Sequence, residues 1–164
     1  MIRIAILTVS DSVSKGTRED RSGLQLRQRV EALGWLVREA AVASDDAPVI
    51  SEKLSDWADG GSVDVILTTG GTGIAIRDVT PEATRVVIDR EIPGIGELMR
   101  SEGRKATRLA PLSRSMAGTR GAVLIVNLPG SPKGAVESLD AVADLIPHMV
   151  DLLLGKTEHA AVGN

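Results

Sequence analysis

Short apolar runs alternate with amphipathic stretches along this chain of 164 residues. Four runs, at 3–9, 35–42, 63–68 and 122–127, have the length of buried strands, and turn residues follow each of them. Continuous apolar runs of this kind are typical of parallel strands that are buried on both faces. The pattern therefore predicts an α/β fold with three layers, in which a mostly parallel sheet carries helices on both faces.

The stretches between the runs predict helices whose ends are marked by capping residues. A first helix carries Leu24, Leu26, Val30 and Leu33 and ends before Gly34, a residue suited to the position after a helix. A second helix is predicted at 47–58, with Ser44 or Asp45 as its N-cap. A third helix is predicted to begin at Thr80 as N-cap, followed by Pro81 and Glu82. A fourth is predicted to begin at Ser131 as N-cap, followed by Pro132. Pro147 is expected to kink or split the last helix, and Gly155 to end it.

The length and this organisation predict one domain over residues 1–155, followed by a mobile tail over 156–164. The segment 93–116 gives mixed signals, with a helical stretch near Leu98 and a break near Pro111.

Composition excludes several classes of function. The chain has two tryptophans, no tyrosine and no phenylalanine, so the stacking platforms of single-strand nucleic-acid binders are missing. The net charge of −3 does not provide the basic stripe that duplex binding requires. With no cysteine, disulfides, cysteine-ligated zinc and thiolate nucleophiles are excluded. No apolar run approaches the roughly 20 residues of a membrane span, and we expect a cytoplasmic protein with no nucleic-acid or membrane partner.

Three loops follow predicted strands, at 8–12, 69–78 and 127–131, and parallel strands place such loops at one edge of the sheet. In the second loop Gly70, Gly71, Thr72 and Gly73 expose consecutive backbone amides, which suits a phosphate or another oxyanion. The spacing is neither that of a P-loop nor that of a dinucleotide-binding turn. The alternative is a glycine turn without a ligand.

Two carboxylates sharpen the phosphate hypothesis. Asp45 and Asp78 follow neighbouring strands, and Mg²⁺ is commonly held by one or two carboxylates together with substrate phosphates. Each aspartate also has a simpler explanation, since Asp45 or Asp46 can cap a helix and Asp78 can begin a turn before Thr80. Ser113, Arg114 and Ser115 offer donors for a second anion or form a solvated turn.

The two histidines do not indicate catalysis. His148 lies on the last helix and His159 in the tail, and neither has metal-ligand companions or a serine partner in the loops.

Four blocks, in order "ILTVSDSVSKGTREDRSG", "GGTGIAIRDVTPEAT", "PLSRSMAG" and "NLPGSPKG", resemble the MogA and MoaB proteins of molybdenum cofactor biosynthesis and the related G domains of gephyrin and its plant counterpart. The resemblance covers nearly the whole chain. It departs from the family pattern at Ile76, where several relatives have proline, and at Asp46, which repeats the aspartate of Asp45.

The resemblance implies a molybdopterin-binding fold and molybdopterin adenylyltransferase activity, in which ATP and molybdopterin are the substrates and Mg²⁺ is the cofactor. It implies a homotrimer or a hexamer, and transient contact with other proteins of the same biosynthesis. The alternative within the family is a MoaB-type protein that binds molybdopterin without turnover, and an interaction scaffold is a third hypothesis. Whether molybdenum or tungsten is inserted downstream, and how many Mg²⁺ ions bind, stay open.

Site residues carried over from the resemblance fall into three groups. Asp45 and Asp78 match the catalytic and Mg²⁺-binding positions, and Gly70, Gly71, Thr72 and Gly73 match the nucleotide and phosphate loop. The molybdopterin-binding residues implied are Thr8, Ser10, Asp11, Ser113, Arg114, Ser115, Asn127, Pro129, Gly130 and Ser131.

Overall fold

A computed structural model describes residues 1–156. It contains six strands, β1 Arg3–Val9, β2 Leu36–Ala43, β3 Val65–Thr69, β4 Arg90–Glu91, β5 Ala117–Arg120 and β6 Val123–Leu128. The helices are α1 Asp11–Ser14, α2 Arg21–Ala32, α3 Ala47–Asp59, α4 Thr80–Val87, α5 Pro93–Gly103, α6 Pro132–Val142 and α7 Ile146–Leu153, and a 3₁₀ turn spans Ala110–Leu112.

The strands form one sheet in the order β2-β1-β3-β6-β5-β4. The first four strands of this order are parallel, whereas β5 runs antiparallel to both β6 and β4. The sheet is therefore mostly parallel, as the sequence predicts. The carboxyl ends of β2, β1, β3 and β6 lie along the same edge, and the loops that leave them meet there.

A hydrophobic core lies on each face of the sheet. Alternate residues of a strand point to opposite sides, so that Ile6 packs in one core and Leu7 in the other. The first core is completed by α2, α5, α6 and α7, and the second by α3 and α4. Each fully buried leucine or isoleucine contributes about 1.5–3 kcal/mol by leaving water. The predicted three-layer α/β fold is confirmed.

The sequence predicted the parallel strands to within two residues but missed β4 and β5. The strand β4 has only two residues, both exposed and charged, and β5 contains Gly118, so neither shows an apolar run. A glycine is needed at position 118, because a Cβ there would lie 2.8 Å from the carbonyl oxygen of Arg90 in the neighbouring strand. A backbone this close is a reason for glycine within a strand.

Two predicted helix caps are wrong. The N-cap of α3 is Asp46, whose carboxylate accepts a hydrogen bond from the Val49 amide, and not Ser44 or Asp45. Thr80 is the first residue of α4 and not its cap, because its buried hydroxyl donates to the carbonyl of Gly70 (2.9 Å).

The other helix predictions are confirmed. Gly34 and Gly155 have φ of +80° and +75° after their helices, as expected for residues that follow a helix end. The last helical stretch is split into α6 and α7, with Pro147 in the first turn of α7.

Of the predicted tail, positions 157–164, including His159, lie outside the described residues. Over residues 1–156 no helix is long and apolar enough to cross a membrane.

Candidate active site

A cavity of about 380 Å³ opens at the carboxyl edge of the sheet, and we call it the polar cavity. Its lining comes from the ends of β1, β3 and β6, from the start of α2 and from the loop after β2. It is lined by Thr8, Val9, Ser10, Val13, Arg18, Glu19, Asp20, Arg21, Ser22, Asp45, Thr69, Gly70, Gly71, Asp78, Gly130, Ser131 and Pro132. Eight of the predicted site residues are among them, drawn from segments far apart in the sequence.

The glycine loop that borders this cavity requires its first two glycines. Gly70 and Gly71 have φ of +104° and +69°, in the region that other residues rarely adopt. A Cβ at Gly70 would lie 2.2 Å from the carbonyl oxygen of Val9, and a Cβ at Gly71 would lie 2.2 Å from Thr80 Oγ1. The loop is thus packed against both β1 and α4. The Gly70 amide already donates to the carbonyl of Leu128. The predicted anion-binding group of backbone amides is therefore reduced to the amides of residues 71–73.

Asp78 closes the same loop. Its Oδ2 accepts a hydrogen bond from the Ala75 amide at 2.9 Å, and its own amide donates to the Ala75 carbonyl at 3.0 Å. A Cβ at Gly73 would lie 2.7 Å from Asp78 Oδ2, so the glycine lets this carboxylate fold back over the loop. Asp78 is therefore a turn residue, as the simpler explanation has it, and also lines the polar cavity.

Asp45, in the loop after β2, lines the same cavity, and its Oδ1 lies 3.4 Å from where a Cβ of Gly71 would stand. Burial raises the pKa of its carboxyl above the usual value, the nearby carboxylates of Asp11 and Asp78 raise it further, and a hydrogen bond from the Asp11 amide acts against them. Its neighbour Asp46 is exposed and caps α3. Of the two adjacent aspartates, only Asp45 lines the cavity.

The polar cavity is more acidic than basic. Its charged lining consists of Glu19, Asp20, Asp45 and Asp78 against Arg18 and Arg21, four acids minus two bases, or a formal charge of −2. A polyanion that entered it alone would meet net repulsion. The arrangement suits an anion that arrives together with a cation.

The residues at the start of α2 were missed by sequence reasoning. Asp20 is the N-cap of α2, and its carboxylate accepts hydrogen bonds from Thr8 Oγ1 (2.8 Å) and from the Gly23 amide (2.9 Å). The available signal was an aspartate three residues before a glycine that begins a helical pattern. Arg18 carries no such signal, since an exposed arginine in a polar stretch has many uses.

A second cavity, of about 170 Å³, lies between α5, α6 and the 3₁₀ turn, and we call it the apolar cavity. Its lining combines Met99, Leu109, Ala110 and Pro129 with Arg100, Thr107, Ser113, Ser115, Ser131, Glu137 and Ser138, and Gly103 and Gly134 complete it. Ser131 borders both cavities, so the two are neighbours. Ser113 and Ser115 are hydrogen-bonded to each other at 2.9 Å.

Arg114 lines neither cavity. Its guanidinium donates to the carbonyls of Gly73 and Asp78, both at 2.8 Å, and pairs with Glu82. Its amide donates to the carbonyl of Thr72 at 2.7 Å. Arg114 thus holds the glycine loop and directs its charge at backbone oxygens.

Four other predicted residues also lie outside both cavities. Asn127 is fully buried in β6, where its Nδ2 donates to Thr68 Oγ1 (3.0 Å) and its Oδ1 has no partner within the described chain. Thr72 is buried, Gly73 lies beneath Asp78, and the Asp11 carboxylate pairs with Arg77. The structure therefore does not bring these four residues to either cavity.

No cluster of three or more acidic or histidine side chains that could hold a metal by itself occurs within residues 1–156. Asp45 and Asp78 nevertheless line one cavity, in which Asp78 acts to raise the pKa of Asp45. Two carboxylates fit a Mg²⁺ ion whose remaining ligands are phosphate oxygens and water.

Comparison with known proteins identifies the family. Residues 5–148 match the family described as "Probable molybdopterin binding domain". A molybdopterin adenylyltransferase of Helicobacter pylori strain J99 is 44% identical over 156 residues, which cover 94% of this chain and 89% of the relative. The molybdopterin adenylyltransferase of Escherichia coli K12 is 36% identical, covering 94% of this chain and 86% of the relative.

Solved structures agree with this match. The molybdopterin biosynthesis enzyme MoaB of Thermus thermophilus superposes with a TM-score of 0.89 at 50% identity, covering 95% of this chain and 98% of that one. The tungsten cofactor synthesizing protein MoaB of Pyrococcus furiosus gives a TM-score of 0.85 at 30% identity, covering 93% and 97%. The chain therefore belongs to the MogA/MoaB family of molybdopterin-binding proteins.

Proposed function

We propose that this chain is a molybdopterin adenylyltransferase, which transfers AMP from ATP to the terminal phosphate of molybdopterin and releases pyrophosphate. The observation that carries the proposal is the pair of carboxylates, Asp45 and Asp78, that line one glycine-bordered cavity. Relatives with this activity in their names, at 36–44% identity over most of the chain, support it.

The reaction needs no side-chain nucleophile. A phosphate oxygen of molybdopterin attacks the α-phosphorus of ATP, the new oxygen–phosphorus bond forms as the bond to the β-phosphate oxygen breaks, and pyrophosphate leaves with that electron pair. Such a reaction is accelerated by positioning the two substrates and by stabilising the negative charge of the transition state. In this chain the backbone amides of residues 71–73 would donate to phosphate oxygens, and Asp78 is fixed at the end of the same loop.

Asp45 and Asp78 would hold Mg²⁺ in the polar cavity, and the bound ion would neutralise phosphate charge during the transfer. The acidic excess of the cavity supports this assignment, because it disfavours a nucleotide without a cation.

The two cavities suit the two substrates. Phosphates fit the polar cavity, whereas the flat heterocycle of a pterin fits the apolar one, with Ser113 and Ser115 as polar partners. Ser131, which borders both cavities, would lie near the phosphate that joins the two substrates.

We further propose a homotrimer or hexamer in the cytoplasm, with transient contact with other proteins of cofactor biosynthesis. These proposals rest on the family resemblance.

The test is pyrophosphate release from ATP and Mg²⁺, with and without molybdopterin, by the wild type and by Asp45→Asn, Asp78→Asn and Asp46→Asn. Release should require molybdopterin, and each of the first two variants should lose about 2–4 kcal/mol of transition-state stabilisation, roughly 30-fold to 1,000-fold in rate. Asp46→Asn is the matched control, since Asp46 only caps α3 and asparagine caps a helix equally well.

A wild type that binds molybdopterin but releases no pyrophosphate would contradict the proposal and identify a binding member of the family. Equal loss in Asp46→Asn would contradict the assignment of Asp45.

A further inference from the structure

Asp11, Asp45 and Arg77 form a closed network beside the polar cavity. The Asp11 amide donates to Asp45 Oδ2 at 2.9 Å, and the Asp45 amide donates to Asp11 Oδ1 at 3.0 Å. Each aspartate thus holds the backbone of the other across 34 residues of sequence. Asp45 Oδ2 accepts this hydrogen bond, whereas Oδ1 accepts none within residues 1–156 and lies on the side of Gly71, 3.4 Å from where a Cβ of that glycine would stand.

Arg77 ties this pair to the glycine loop. Its Nε donates to Asp11 Oδ2 (2.5 Å), and its Nη2 donates to Asp11 Oδ1 (3.0 Å) and to the Asp45 carbonyl (3.2 Å). The planar guanidinium matches a carboxylate with two parallel hydrogen bonds, which a lysine cannot do. Arg77 immediately precedes Asp78, so one side chain joins the segment that carries one cavity carboxylate to the segment that carries the other.

Neither Asp11 nor Arg77 lines the polar cavity. The Asp11 carboxylate accepts three hydrogen bonds, two at Oδ1 and one at Oδ2, and all of them come from Asp45 and Arg77. The guanidinium of Arg77 faces Asp11, which is not the orientation expected of a phosphate-binding residue. The Arg77 side chain is 65% exposed, so the ion pair contributes little to the stability of the fold.

We propose that Asp11 and Arg77 are positioning residues, which fix Asp45 relative to Asp78 so that both carboxylates face one substrate-bound cation. This inference rests on the proposed function for its kinetic consequences. It reassigns Asp11 from the molybdopterin-binding residues that the sequence predicted.

The kinetic test compares Arg77→Gln, Arg77→Lys, Asp11→Asn and the double variant Arg77→Gln/Asp11→Asn. Residues that orient metal ligands typically change activity or metal affinity by about 10-fold to 100-fold. We expect such a loss in kcat and a matching rise in the Mg²⁺ concentration for half-maximal activity, with the KM for ATP nearly unchanged. The lysine variant should be no better than the glutamine variant.

The double variant separates positioning from direct phosphate binding. If Arg77 acts through Asp11, the double variant should be no slower than the slower single variant. Multiplied losses, together with a raised KM for ATP, would mean that Arg77 contacts phosphate by itself and would overturn the proposal.

A structural readout is independent of turnover. Hydrogen exchange at the amides of Asp11 and Asp45 should become at least about 10-fold faster in Arg77→Gln, because the network that protects both amides is opened. Arg29→Gln is the matched control, since it breaks an exposed Arg–Asp pair with Asp140 (2.6 Å) between α2 and α6. It should leave kinetics and exchange at both amides unchanged.

The two proposals fail in different ways. A wild type without pyrophosphate release contradicts the proposed function, and the exchange rates then decide the network alone. A fully active Arg77→Gln variant with unchanged exchange at both amides overturns the network and leaves the proposed function standing.

Discussion

The two ends of the parallel strands carry aspartates in opposite settings. At the amino end, the Asp64 carboxylate accepts three hydrogen bonds from Arg3, and the Arg3 guanidinium also donates to the carbonyl of Gly61. At the carboxyl end, neither Asp45 nor Asp78 forms an ion pair with any side chain of residues 1–156. Asp64 is thus paired with a cation of the fold, whereas Asp45 and Asp78 are not paired with a cationic side chain.

The comparison teaches where stability and function can be changed separately. A carboxylate that is paired with a cation of the same chain contributes to the stability of the folded state. A carboxylate without a cationic partner lowers that stability, and the rest of the fold offsets the loss. Substitutions at the amino end should therefore alter stability, and those at the carboxyl end should alter activity.

The largest effect is expected from Gly71→Ala, matched by Gly61→Ala at the other end of β3. Both glycines have positive φ, +69° and +75°, and an alanine there costs about 1–2 kcal/mol of backbone strain. Only at Gly71 does a Cβ also collide, 2.2 Å from Thr80 Oγ1, whereas nothing lies within 4 Å at Gly61. Gly71→Ala should therefore displace the loop and lower pyrophosphate release about 100-fold.

Gly61→Ala should keep wild-type activity while losing the strain energy alone. Urea unfolding measures the strain in both variants, and pyrophosphate release is then compared at temperatures where both are folded. Similar activity losses in the two variants would contradict the conclusion that activity depends on the carboxyl end of the parallel strands and not on the amino end.

A smaller effect is expected from Asp64→Asn. The variant keeps the size of the side chain but loses the charged partner of Arg3, and we expect the free energy of unfolding to fall by about 1–2 kcal/mol. The figure is kept low because 39% of the Arg3 side chain is exposed. Activity should be unchanged. Asp59→Asn, which breaks a more exposed pair with Arg120, should change the unfolding free energy less.

The smallest effect concerns pH, where the two ends should have opposite signs. Burial alone would raise the pKa of Asp64, but the hydrogen bonds and charge of Arg3 outweigh it and the pKa is lowered. Asp64 thus contributes stability above its unfolded pKa of about 3.9, and this contribution is lost as pH falls through its lower folded value. The pKa of Asp45 is raised by burial, so its contribution is present at low pH and lost as pH rises through the folded value.

Unfolding of the ligand-free variants between pH 7 and pH 3 tests these signs. At pH 7 Asp64→Asn should be less stable than the wild type and Asp45→Asn more stable, and both differences should shrink toward acid pH. A destabilised Asp45→Asn at pH 7 would mean that the hydrogen bond from the Asp11 amide outweighs the cost of burying the Asp45 carboxylate.

The same contrast explains what the sequence could predict. The parallel strands have continuous apolar runs, and the glycine loop and its aspartate are adjacent in the chain, so local patterns locate them. The antiparallel strand β5 was missed because it contains Gly118, which is required there by the close backbone of the neighbouring strand β4. The roles of Arg77 and Arg114 were missed because each depends on partners more than 30 residues away. Such contacts exist only after folding, so the sequence blocks that contain the two arginines do not reveal them.

The arrangement of the strands also has a consequence for the order of assembly. The strands β5 and β6 form a hairpin that turns at Gly121, and its paired residues Arg120 and Val123 are close in sequence. By contrast, Thr68 of β3 pairs with Asn127 of β6, which is 59 positions further along the chain. Long-range pairing carries a larger loop-closure entropy and forms late. The polar cavity needs the ends of β1, β3 and β6 together, so it forms only after β1 and β6 have both paired with β3, and a fragment that lacks any of these strands cannot form it.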